Sequence, residues 1–161
     1  LLRDKSMTSK RLDAMSWDDA DRLRDIFPGK LIIKGIMRVD DAVKAAEHGV
    51  DGIVVSNHGG RHMDGAPSTL DVLPDIAKAV GDKLTIFLDS GVRRGSDIVK
   101  AKALGAHAVL TGRATLFGVA AGGEAGGTKA ITILKDEMKR TMAYIGTQRT
   151  SDITADVLWR G

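Results

Sequence analysis

Gly49-Val50-Asp51-Gly52-Ile53-Val54-Val55-Ser56-Asn57-His58-Gly59-Gly60-Arg61 joins a helix-ending glycine, a tight turn, an apolar run and a polar, glycine-loosened tail. An unbroken apolar run this short reads as a β-strand covered on both faces. The tail sets a candidate base, His58, three positions before a fixed cation, Arg61. Proton removal beside an acid group needs that pair: a base within reach of the proton and a guanidinium that holds the carboxylate.

The same plan recurs on either side. Gly105-Ala106-His107-Ala108-Val109-Leu110-Thr111 echoes Gly49 to Val55 in pattern, again a glycine stop, a turn and a strand. Upstream, Ser16-Trp17-Asp18-Asp19 reads as a capping box that opens a helix running to about Phe27 and stopping at Pro28-Gly29. Leu31 to Ile36 is a short buried strand, and Asp40 caps a helix closed by Gly49, with Ala42, Val43, Ala45 and Ala46 inward. Thr69 to Val80 is helical, with Pro74 tolerated if it lies in the first turn. Thr85 to Leu88 is a strand, Ser96 caps a helix ending near Gly105, and Ala108 to Leu110 is the fourth strand. Ile131, Leu134, Met138, Met142 and Ile145 form one stripe of a last helix ending at Gly146, with the Gly122 to Gly127 run as its lead-in. Residues 1–15 are charged and aperiodic and read as the end of a mobile loop; residues 16–161 read as one αβ unit. Alternating strands and helices give parallel strands with right-handed crossovers, and ligands of such folds bind at the carboxyl ends of the strands. Chemistry-bearing residues stand at those ends: Lys34, Ser56 to Arg61, Asp89-Ser90-Gly91-Val92-Arg93-Arg94-Gly95, and Thr111-Gly112-Arg113. Four units are half of a (β/α)8 barrel, so the pattern alone leaves a small open sheet and half a barrel both open.

Composition narrows the function. The chain has 161 residues, 43% apolar and 28% charged, with a formal net charge of +3, which is an ordinary globular balance. One Tyr and three Phe offer little for stacking bases, and the basic residues are dispersed, so nucleic acid is not expected as a partner. There are no cysteines, hence no disulfide, thiolate metal site or cysteine nucleophile. His48 and His107 have no partners at metal-ligand spacing, and no metal site is expected. His48 reads as a solvent-facing or dipole-contacting residue at a helix end, His107 as a turn residue, and Trp17 and Trp159 as packing anchors. Arg93 is expected to point inward and Arg94 outward. No apolar stretch approaches the roughly 18 residues that span a bilayer. The chain starts at Leu1 rather than Met, so a missing signal peptide carries no information.

From Leu31 to Gly126 the chain resembles the C-terminal half of the FMN-dependent 2-hydroxy acid oxidase and dehydrogenase family, and its mandelate dehydrogenase branch most. The matching pieces are Ile33-Lys34-Gly35, Ser56 to Arg61, Asp64-Gly65, Asp89 to Asp97, Thr111-Gly112-Arg113-Ala114 and Gly122-Gly123-Glu124-Ala125-Gly126. The resemblance implies the C-terminal half, about four βα units, of an FMN-binding TIM barrel that oxidises an (S)-2-hydroxy acid, mandelate-like, to the 2-oxo acid. His58 would be the base and Arg61 the carboxylate clamp, both binding substrate. Lys34 would stand beside the flavin N1 and C2 carbonyl, and Ser56 would hydrogen-bond the ring. Asp89, Ser90, Gly91 and Arg93 would hold ribityl and phosphate, with Gly112 and Arg113 completing the phosphate site. It further implies an N-terminal half of the same barrel as partner, an electron acceptor (oxygen, a quinone or a carrier protein), a homo-oligomer, and a cytoplasmic enzyme, in one branch peripheral at the inner face of a membrane. The segment from Arg3 to Arg11 would fall in that branch's membrane-binding loop.

The chain departs from the family pattern at two places. His62 and Met63 stand where the family has glutamine and leucine, which reads as tuning of the site, and Lys102 occupies a helix position that is apolar in relatives and is expected to snorkel. The family's substrate-contacting tyrosines and the aspartate that orients its base belong to the other half. Three rival readings stand beside this one. Lys34 as a Schiff-base lysine leaves His58 and Arg61 unexplained; another FMN or phosphate-binding barrel shares the phosphate turn but not that pair; a half-barrel serving only as a flavin-binding subunit would carry no chemistry.

Overall fold

Ser16 and Asp19 close the expected capping box, the Asp19 carboxylate accepting from the Ser16 backbone N–H at 3.0 Å, and helix α1 runs Trp17–Ile26. The computed structural model describes residues 15–159, so most of the expected loop segment 1–15 lies outside the described residues. Strand β1 (Ile32–Ile36), helix α2 (Val39–Glu47), β2 (Gly52–Val55), α3 (Thr69–Val80), β3 (Thr85–Leu88), α4 (Gly95–Ala103), β4 (Ala108–Val109) and α5 (Arg113–Tyr144) follow in alternation. The strands form one parallel sheet in the order β1-β2-β3-β4. Ile53 of β2 lies between Ile33 and Ile86, and Val55 between Ile36 and Leu88. All carboxyl ends therefore meet at one edge.

The core lies where the sheet is covered on both sides. β2 is buried along its whole length, and Ile53, Val55, Leu73, Ile76, Ile86 and Leu88 form its centre with Ala42 and Ala45 of α2. β1 was expected to be buried and is not: Ile32 is 44% exposed, because β1 is an edge strand with only β2 beside it. β4 is shorter than expected for the same reason.

Two helix starts differ from the expected ones, and a third helix begins at Thr69 as expected but carries its proline elsewhere. α2 begins at Val39, with Arg38 as its N-cap rather than Asp40, and the Arg38 guanidinium pairs with the Asp40 carboxylate. α4 begins at Gly95, capped at Arg94 rather than Ser96, because Asp97 reaches back to the backbone N–H groups of Arg93 and Arg94 at 3.0 and 2.9 Å. Glu137 of α5 adds a further cap, accepting from Gly95 N at 2.9 Å. In α3 the cap is Ser68, so Pro74 falls in the second turn, not the first, and the Leu70 carbonyl loses its helical partner.

The glycine run in α5 is a hinge between two arms rather than a lead-in. The helix breaks at Gly122 and Gly123, where Gly123 takes φ +57°, and the arms fold against each other. They approach so closely that a Cβ on Gly126 would lie 2.0 Å from the Gly118 carbonyl oxygen. Beyond it, Leu134 and Met142 are buried and Met138 and Ile145 half-buried, whereas Ile131, expected on the same stripe, is exposed. Met142, Val99, Ala103 and Ile153 make a second, smaller apolar cluster. Trp17 packs on the main core, but Trp159 is exposed and anchors nothing.

Asp51, in the turn before β2, ties α1 to the sheet. Its carboxylate pairs with Lys30 at 2.6 Å and Arg24 at 2.9 Å and accepts from Leu31 N at 2.9 Å. Lys30 first, then these other donors, hold the carboxyl far below the ordinary carboxylate range. A carboxyl depressed by folding stabilises the fold above its unfolded value, about 3.9, and loses that contribution as pH falls toward its folded value. In the intact protein, Asp51→Asn is expected to lower the thermal midpoint equally at pH 7 and pH 5, with a gap that narrows only below about pH 4. A gap independent of pH down to 3 would contradict the ion-pair account.

Candidate active site

Three strand ends are bound together by one polar cluster. Lys34 of β1 donates from Nζ to Ser56 Oγ at 2.8 Å and pairs with Asp89 Oδ2 at 3.0 Å. Ser56, directly after β2, is 1% exposed, and its Oγ also accepts from His58 N at 3.2 Å. Asp89, directly after β3, accepts at Oδ1 from Ser90 Oγ at 2.7 Å. Burial pushes the Asp89 carboxyl up, but hydrogen bonds from Ser56, Ser90 and Lys34 together hold it below the ordinary value. The carboxylate stays charged and keeps Lys34 in place. Lys34 thus has a carboxylate partner and is 43% exposed, unlike a Schiff-base lysine desolvated in an apolar pocket.

The His58 loop is held in a constrained shape. His58 takes φ +56°, a conformation uncommon for a residue with a side chain, at the start of a 3₁₀ turn, His58–Gly60. Gly59 N donates to both Asn57 Oδ1 and Ser90 Oγ at 3.0 Å, and the Gly59 carbonyl accepts from Arg113 Nη2 at 2.9 Å. Asn57 Nδ2 in turn donates to the Pro67 carbonyl at 3.1 Å. Strain of this kind persists only where the surroundings over-determine it. Here three separate elements do so.

Room for the imidazole comes from β1. The register of β1 on β2 shifts between Lys34 and Ile36, and Gly35 in this bulge takes φ +102°. A Cβ there would lie 3.0 Å from His58 Cε1. The His58 ring also stacks on His62, with centroids 4.4 Å apart at 28°. Partial desolvation first, then Lys34 and His62, and more weakly Arg61, lower the His58 pKa from its usual value, against a smaller opposing pull from Asp89. The neutral, proton-accepting form is favoured.

These groups face one cavity of about 910 Å³. Lys34, His58, Arg61 and Asp89 line it together with Gly91, Arg93, Gly112 and Arg113. Arg93 faces this cavity while Arg94 turns away to Glu137 at 3.0 Å, as the sequence reading had it. A Cβ on Gly91 or Gly112 would meet nothing within 4 Å, so that rim is bare backbone flanked by two guanidinium groups. Bare amides beside fixed cations form an anion cradle. One phosphate fits that rim, and Lys34 offers a cation for charge developing on a flat ring. The residues present therefore suit a phosphate-bearing flavin.

All ten sequence-selected site residues lie at this sheet edge: nine line the cavity, and the tenth, Ser56, is hydrogen-bonded to Lys34 beside it. The remaining histidines serve the fold. His48 pairs with Asp21 at 2.6 Å and stacks on Trp17, rather than facing solvent. His107 Nδ1 accepts from Ile86 N at 2.9 Å, joining β4 to β3. Lys102 snorkels to the His107 carbonyl at 3.3 Å. Sequence reasoning passed over Gly35, Asn57 and the His62 stack; the glycine after Lys34 was the one available signal, and it announces a bulge only once the register is known.

A parallel α/β sheet with a cation-lined rim and a polar cluster at its carboxyl edge is an arrangement suited to a phosphate-bearing ligand. The FMN-dependent dehydrogenase family model matches residues 2–160, and the chain belongs to that family, whose cofactor is FMN. L-lactate oxidase of Nostoc sp. is 50% identical over 145 residues, which cover 90% of this chain and 40% of that protein. 2-Hydroxyacid oxidase 1 of Mus musculus is 50% identical over 140 residues, covering 87% and 38%. The crystal structure of the monotopic membrane protein (S)-mandelate dehydrogenase superposes with a TM-score of 0.88 at 45% identity, covering 91% of this chain and 39% of that one. The chain thus spans about two fifths of the length of these relatives, and its four strands form half of their TIM barrel.

Gly35→Ala tests the bulge. The left-handed backbone and the crowding of His58 are expected to cost about 1–3 kcal/mol of stability. The His58 Cε1 proton resonance should shift in the folded variant. A folded variant with that resonance unmoved would place the imidazole away from Gly35.

Proposed function

We propose that this chain is the catalytic C-terminal half of an FMN-dependent (S)-2-hydroxy acid oxidase or dehydrogenase. Mandelate or a similar aromatic hydroxy acid is the favoured substrate. The observation that carries this reading is the convergence of His58, Arg61 and Lys34 on one cavity with an anion rim. The family relatives support 2-hydroxy acid oxidation in general, and the likeness to (S)-mandelate dehydrogenase supports the aromatic preference. FMN, when bound, supplies the two-electron acceptor.

In this reading Arg61 holds the substrate carboxylate and offsets charge in the transition state. His58, favoured in its neutral form, accepts the proton of the hydroxyl or the α-carbon at a ring nitrogen. Gly91, Arg93, Gly112 and Arg113 would grip the phosphate of FMN, Asp89 and Ser90 would hold its ribityl chain, and Lys34, oriented by Ser56 and Asp89, would offset negative charge on the ring. The two electrons then pass to oxygen, a quinone or a carrier protein. An N-terminal half with four more strands covers the open edges of β1 and β4 and the exposed apolar residues Leu116 and Phe117. No helix among the described residues is long and apolar enough to cross a membrane. The proposed location is cytoplasmic, with peripheral attachment through the segment before Met15 in a mandelate dehydrogenase-like enzyme.

Two substitutions separate the roles in the intact flavoprotein. His58→Asn is expected to keep flavin bound while slowing its anaerobic reduction by substrate about 10²–10⁴-fold, the range of general-base catalysis. Arg61→Met should weaken carboxylate inhibitors as well, since a buried charge-assisted pair contributes on the order of 1.5–3 kcal/mol. Near-normal stopped-flow reduction in His58→Asn would remove His58 as the base.

Lys34 is tested by potential. Lys34→Met should lower the flavin midpoint potential and weaken the sulfite adduct, because both reduction and sulfite addition put negative charge on the ring. An unchanged potential would place Lys34 away from the flavin.

A further inference from the structure

His58 shares its part of the cavity with a second imidazole, that of His62, which the catalytic reading leaves without a role. The two rings are stacked face to face, 4.4 Å between centroids and 28° between planes. His62 lies four residues on, past Arg61, and is exposed at the cavity mouth. We propose that His62 is a positioning residue for the reaction: its ring supports one face of His58, and its charge, when protonated, keeps His58 an unprotonated base. This rests on the assignment of His58 as that base.

The geometry supports both parts. A loop residue at φ +56° with an exposed side chain gains a defined ring plane from a stacked face, and Gly35 provides only clearance. Stacked rings at this spacing fall within the range where aromatic pairs attract. Two imidazolium ions at the same spacing repel, so each proton taken by His62 makes one on His58 harder to place. The charged groups around His58 come from every neighbouring element. Lys34 at the end of β1 and Arg61 in its own loop oppose its protonation, Asp89 at the end of β3 favours it, and His62 opposes it. Arg113 at the start of α5 is held by the Gly59 carbonyl, and Arg93 lines the same cavity. His62 is the one imidazole among these neighbours of His58.

The sign follows directly. A base works when unprotonated, so turnover falls on the acid side as His58 takes up a proton. Removing a neighbouring positive charge raises the pKa of His58 and moves that acid limb to higher pH.

The test is the pH dependence of anaerobic flavin reduction in the intact flavoprotein, compared among wild type, His62→Gln, His62→Phe and His58→Asn. His62→Gln, which loses ring and charge, is expected to move the acid limb up by roughly half to one pH unit and to lower the plateau rate several-fold. His62→Phe keeps a stacking face without a charge, so the limb should move as far while the plateau stays near wild type. An acid limb unmoved in both His62 variants, with His58→Asn inactive, would overturn the role of His62 and leave the base assignment standing. Full reduction rates in His58→Asn would instead overturn the base assignment and this inference with it.

Discussion

The Ser56 hydroxyl, buried at the sheet edge, accepts from the Lys34 ammonium and the His58 backbone N–H, and so binds the ends of β1 and β2 to the His58 loop. Asp89 extends the same cluster to β3 by pairing with Lys34. A partly buried polar cluster is favourable when its members satisfy one another, and a satisfied network holds its members in one geometry. Lys34, Ser56 and Asp89 are therefore coupled: removing one leaves the others short of partners. The candidate site inherits its shape from that coupling.

Positive charge dominates the cavity, with Lys34, Arg61, Arg93 and Arg113 along its walls and Asp89 as the counter-charge against Lys34. Such a surface favours an anionic cofactor and an anionic substrate, and it disfavours a protonated base. One electrostatic arrangement would thus serve all three roles proposed for the cavity: phosphate binding, carboxylate binding and proton acceptance. The β1 bulge has a related double role. Gly35 breaks the register so that Lys34 and Ile36 pair differently with β2, and the missing Cβ admits the His58 ring. Bulges next to active sites re-aim side chains in this way.

Much of this was legible in the sequence because it depends on local chemistry. Glycine stops at Gly49 and Gly105, each with positive φ, and the apolar runs of β2 and β3 gave the βα alternation, and alternation gave the common sheet edge. The site residues followed because they sit directly after strands, where the topology leaves no choice of face. What escaped depends on contacts across the chain. Asp97 captures two backbone N–H groups before Gly95 and moves the start of α4, and Glu137, far along the chain, completes that cap. Edge position exposes Ile32 although its sequence matches a buried strand. The closeness of Gly118 to Gly126 explains a glycine run that reads as slack when only neighbours in sequence are considered. The family resemblance, not periodicity, decided between an open sheet and half a barrel.

The account stands or falls on where the ligands lie. A crystal structure of the intact flavoprotein with a bound 2-oxo acid would settle it directly. The account predicts the flavin phosphate on the rim of Gly91, Arg93, Gly112 and Arg113, Lys34 Nζ against the N1 side of the ring, the 2-oxo acid carboxylate on Arg61, and His58 facing the carbon that was oxidised. A phosphate bound away from Arg93 and Arg113, or a carboxylate that leaves Arg61 in solvent, would contradict it.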